Sequence, residues 1–164
     1  MTTAFGASCH QADYPKIIGG SAGATYVSQI AVKDLSMVAV GTSSDSVVTK
    51  IKRGTNPFLA FYSGDNMLLQ WSNALSLPSY HLPQVAFNSN GSSIVTFANP
   101  GSVSNTKLSY IIIVSAVDGK LKSVTSSRQI GMLSSNLNTM LLSSHSDTLY
   151  LSSVVETTGK KEYH

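Results

Sequence analysis

Charge is scarce in this sequence. Only 12% of its 164 residues are Asp, Glu, Lys or Arg, about half the share of an ordinary soluble domain. The formal net charge of +3 is too slight for a chain that grips phosphates. Its one basic cluster, Lys50, Lys52 and Arg53, has no aromatic ladder interleaved with it, so no nucleic-acid partner is expected. Cysteine is nearly absent too. Cys9 stands alone, which rules out an intrachain disulfide and a Cys-based zinc site. No stretch approaches the roughly 18 consecutive apolar residues of a membrane-spanning helix. Met1 to Lys16 lacks the basic end and apolar run of a signal peptide, so none is visible.

The signatures of catalysis are missing as well. There is no Gly-x-Ser-x-Gly elbow, and Gly19-Gly20-Ser21-Ala22-Gly23 lacks the Lys-Ser/Thr ending of a phosphate loop. His10, His81, His145 and His164 show no metal-ligand spacing. Asp34, Asp65, Asp118 and Asp147 all fall in turns, where the carboxylate bonds its own backbone. No catalytic residue, cofactor or metal is expected, and the chain reads as a non-enzyme.

What remains is apolar residues at 42%, set in a background of Ser, Thr, Asn and Gly. That balance suits secreted or cell-surface β proteins, and an extracellular or cell-surface location is expected. Ile, Val, Thr and aromatic residues dominate the apolar runs, and no run keeps a helical period, so the fold class is all-β. The runs also recur. SQIAVKDLSMVAVGT, PQVAFNSNGSSIVTFAN and NTMLLSSHSDTLYLSS each give a strand, a turn and a strand, with first apolar residues Ile30, Val85 and Met140 spaced by 55 (85 − 30 and 140 − 85). A second pair of strands follows the first, PFLAFYSGDNMLLQW aligning with SYIIIVSAVDGKLKSV at a spacing of 53, Phe58 on Ile111 and Trp71 on Val124. Residues 1–158 are expected as one repeat domain with units 24–76, 80–128 and 137–155, the last completed by 3–20, and 159–164 as a tail. Ile30, Val32, Val38, Val40, Phe61, Val85, Phe87, Val95, Phe97, Ile112, Val114, Met140, Leu142 and Leu151 should form the core.

Four-strand units bearing Val40-Gly41-Thr42-Ser43, an Asp in the third-to-fourth turn (Asp65, Asp118) and Trp71 on the last strand resemble the blades of microbial and protist β-propeller repeat proteins. Many of those are surface or secreted proteins. The resemblance covers roughly residues 3 to 155 and implies propeller blades. It carries over no catalytic residues, and Ala98 replaces Gly41 while Val124 replaces Trp71. A β-trefoil is the alternative fold.

Two functional expectations follow. The first is a non-catalytic structural or assembly protein that self-associates head to tail through strand or blade completion, as a ring or extracellular filament subunit. Its partners would be other copies of itself. The assembly edge would join Phe5, Tyr14, Ile17 and Ile18 of the opening strands to Leu149, Leu151, Val154 and Val155. The second is a propeller module that binds carbohydrate or another protein. Asn90-Gly91-Ser92 is a glycosylation sequon in a hairpin turn, making Asn90 the glycan candidate.

Overall fold

The computed structural model describes residues 22–50, 54–65, 67–77, 79–101, 108–128, 137–143, 148–157 and 160–163. They form three antiparallel sheets in chain order. The first runs β1 (Thr25–Lys33), β2 (Ser36–Ser43), β3 (Asn56–Ser63) and β4 (Leu68–Ala74), each strand paired with the next. Asp34 closes the β1–β2 hairpin at a φ of 51°, a left-handed conformation that Asp tolerates because its short side chain bonds locally. A single helical turn, α1 (Ser46–Thr49), lies between β2 and β3.

The second sheet repeats this meander with its first strand broken in two. β5 (Tyr80–His81) and β6 (Val85–Phe87) both pair with β7 (Ser93–Pro100), β5 at Asn99–Pro100 and β6 at Ile94–Thr96. Pro83, which has no N–H to give to a ladder, sits in the break. β8 (Tyr110–Ser115) and β9 (Leu121–Ser126) complete the sheet. The third sheet holds β10 (Leu137–Leu142), β11 (Leu149–Thr157) and β12 (Lys160–Tyr163). Residues 160–163, expected within a tail, are thus a strand whose partners are Val154 to Thr157. Among the described residues no sheet closes on itself.

The 55-residue spacing is physical. Ile30 faces Ala39, Val85 faces Thr96 and Met140 faces Leu151, the same rung in each ladder. The hairpins differ in length: Val32 faces Met37, whereas Phe87 faces Ile94 and Leu142 faces Leu149, two residues farther on. For the third and fourth strands the expected spacing of 53 is off by one. Val38 faces Phe61 and Val95 faces Ile113, a separation of 52 (113 minus 61). The bulges agree, since β4 and β9 step out of register just after the rungs Phe61–Trp71 and Ile113–Ser123. Ser123, not Val124, is therefore the counterpart of Trp71. The slip matters because strand side chains alternate in direction, so one residue exchanges the two faces.

The sheets pack face to face. On sheet 1, Ala31, Val38, Val40, Leu59, Phe61 and Trp71 meet Tyr80, Val85, Ile94, Ile112 and Val114 of sheet 2. The opposite face of sheet 2, with Val95, Phe97 and Ile111, meets Met140, Leu142, Leu149 and Leu151 of sheet 3. Each sheet thus has a leading face toward the next sheet and a trailing face toward the one before. The trailing face of sheet 1 buries Phe58, Ala60 and Tyr62, with Val27, Met37, Val48 and Met67 packed on them. Its β1 portion is different. Ile30 and Val32, expected in the core, are 47% and 64% exposed, because no described sheet lies behind them. Their counterparts Val85 and Phe87 pack on sheet 1, and Met140 and Leu142 on sheet 2.

Candidate functional site

The first strand of each sheet is an edge strand, and its outward N–H and C=O groups need partners that its own sheet does not supply. Two glutamines answer that need. The Val85 N–H donates to Gln29 Oε1 at 2.6 Å, and the Met140 N–H donates to Gln84 Oε1 at 2.5 Å. Gln29 and Gln84 occupy one repeat position, immediately before the marker residues Ile30 and Val85. The third unit has Thr139 there, whose side chain is too short for the same reach. The Ser28 hydroxyl adds to the first seam by donating to the Leu82 carbonyl and, at 3.1 Å, to that of Val40. Sequence reasoning used the apolar residue of each unit and passed over the glutamine before it, although its recurrence was visible.

A second seam forms at the outer strands. Trp71 Nε1 donates to the Ala116 carbonyl at 2.9 Å, and Asn73 Nδ2 to the Gly119 carbonyl at 2.8 Å. The Trp71 ring stacks on Phe61 with centroids 5.4 Å apart. Its far side lies over the β8–β9 turn, where Gly119 has a φ of 69° and a Cβ would stand 2.8 Å from the indole. Trp71 therefore ties sheet 1 to sheet 2. The same turn carries the Asp118–Lys120 pair at 3.0 Å. Its hydrogen bonds to Lys120 and Ser115 hold the Asp118 carboxyl down at about 2, a surface interaction of little weight for stability.

Between the first strands lies a cleft of about 260 Å³, lined by Ala31 to Lys33, Val85 to Ser89, and Leu142. Its floor is apolar, and Lys33, Asn88 and Ser89 supply the polar rim. Next to it, Asn90 is exposed in the β6–β7 turn and accepts a hydrogen bond from the Ser92 N–H at 2.9 Å. Gly91 takes a φ of 73° beside it.

The expected assembly residues divide. Leu149 and Leu151 pack on sheet 2, while Val154 and Val155 sit in β11 opposite Tyr163 and Glu162. Phe5, Tyr14, Ile17 and Ile18 lie outside the described residues, as do Cys9, His10, His145, Asp147 and His164. Among the described residues no group of three His, Cys, Asp or Glu is placed to hold a metal ion, and no helix is long and apolar enough to cross a membrane. Fold and seams together define an all-β protein of several antiparallel sheets, in which one glutamine contact joins sheet 1 to sheet 2 and sheet 2 to sheet 3. No protein-family model matches the chain, and none of the curated proteins does.

Proposed function

We propose that this chain is a non-catalytic structural protein of the β-propeller repeat type, and that it assembles with copies of itself, head to tail, into a ring or an extracellular filament. The observation that carries the reading is the recurrence of one sheet-on-sheet contact. Gln29 to Val85 and Gln84 to Met140 are the same bond, 56 residues long in both cases. Repeats stack by nearest-neighbour contacts, and a contact that repeats along the chain is one that can also form between chains. Strand completion is supported by β11, whose side away from β10 has no strand partner over Leu149 to Ser153 among the described residues. Such an edge is a template for another strand.

Sedimentation velocity across a hundredfold concentration range, with negative-stain images of the same samples, tests this. Oligomers that grow with concentration, or preformed rings or fibres, are expected. A concentration-independent monomer would overturn it. The cleft beside Lys33, Asn88 and Ser89 favours a second reading, a module that binds carbohydrate or a protein loop. A glycan array and a pull-down without hits would remove that alternative.

A further inference from the structure

Among the described residues, both halves of the internal sheet-to-sheet contact are left open in the same molecule. Three cross-strand pairs occupy one repeat position on the leading faces: Ala31–Val38, Ala86–Val95 and Leu141–Tyr150. In the first two sheets this position belongs to a face that the next sheet covers. In the third, Leu141 is 65% and Tyr150 58% exposed. On the trailing faces the pattern is the mirror of this. Met140 and Leu142 pack on sheet 2, Val85 and Phe87 pack on sheet 1, and their counterparts Ile30 and Val32 face solvent. Isolated apolar residues on a surface need no explanation. These four differ, because each sits where its repeat counterparts are interfacial.

We propose that the leading face of sheet 3, at Leu141 and Tyr150, packs on the trailing face of sheet 1 of a second copy, at Ile30 and Val32. This rests on the assembly reading above and names the faces that make the joint, which are separate from the strand edges. The occupant is a second copy because the exposed surfaces are the two unmatched sides of a contact this chain already makes twice, and among the described residues they do not meet. The joint is heterologous, one surface against a different one, so a joined pair keeps one free face of each kind, on opposite copies.

The test uses two double variants of the full chain. Leu141→Asp with Tyr150→Asp removes only the leading surface, and Ile30→Asp with Val32→Asp removes only the trailing one. Each alone should self-associate at least tenfold more weakly than the native chain in sedimentation velocity. Mixed, they should form one-to-one heterodimers and nothing larger, since each supplies the surface the other has lost. Circular dichroism and urea melts report whether the variants fold, and serine at the same four positions is the milder replacement if aspartate does not. Three results would overturn the joint. Undiminished assembly of both variants would show that the copies meet elsewhere, and a mixture that stays monomeric while the native chain assembles would show that these two faces are not each other's partner; either leaves the assembly reading standing. A native chain that is monomeric throughout would sink both.

Discussion

Replacing Gln84 by Met isolates the contribution of the repeating seam. The side chain keeps its length and most of its volume, so packing between sheets 2 and 3 changes little. What is lost is the acceptor for the Met140 N–H, bonded at 2.5 Å in a partly buried setting. An orphaned donor of this kind costs about 1–3 kcal/mol, which for a chain of this size lowers Tm by about 2–4 °C per kcal/mol. Gln84→Glu retains an acceptor oxygen and should cost less than Gln84→Met. Urea melts give the stability, and hydrogen exchange at the Met140 amide gives the local effect: protection there should fall with Gln84→Met. Gln29→Met should act in the same way on the Val85 amide. Gln84 and Val85 are adjacent in the chain, so the two bonds share one segment. The double variant should therefore depart from additivity by about 0.5 kcal/mol or more. Unchanged Met140 protection with stability within about 0.3 kcal/mol of the native protein would refute the claim that the glutamines hold the seam.

Phe97 is wholly buried between sheets 2 and 3, so Phe97→Ala should cost about 3–5 kcal/mol in a urea melt. Gly41→Ala would drive a Cβ into the Tyr26 carbonyl, and about 1–3 kcal/mol of destabilisation is expected from the forced backbone shift. Burial lowers the His81 pKa below 6.5, so the folded state binds fewer protons than the unfolded one just below that pH. The stability His81 contributes is present above 6.5 and is lost as pH falls through the folded pKa, and an NMR titration should find its midpoint below 6.5. If the protein passes through a eukaryotic secretory route, intact-mass measurement should find a glycan on exposed Asn90, and its removal by Asn90→Gln.

The all-β class and the repeat were legible because strand periodicity and turn residues are local signals. Ile30, Val85 and Met140 mark the same ladder rung that their spacing suggests. The one-residue error in the third strands arose because Gly64-Asp65 and Asp118-Gly119 are convenient marks in the sequence, whereas the ladder is counted from Phe61 and Ile113. Turn residues say that the chain reverses, not which rung it rejoins. Burial of Ile30 and Val32 failed for another reason. Periodicity tells which side chains share a face, and cover depends on what lies beyond it. The glutamine seam was missed because an uncharged amide in a strand looks like ordinary surface until a neighbouring backbone is placed beside it.

The unequal hairpins have a consequence for how such a chain can vary in length. The β6–β7 turn is two residues longer than the β1–β2 turn, yet both rejoin with the same faces aligned. Two added residues restore the alternation of side chains, and one reverses it. Tolerance to insertion in these turns should therefore follow parity rather than size. A dipeptide inserted at Gly91 would lengthen a surface turn. A single residue at the same point would aim Ile94 away from sheet 1 and bring Ser93 and Val95 against it, unless a new bulge absorbed the difference.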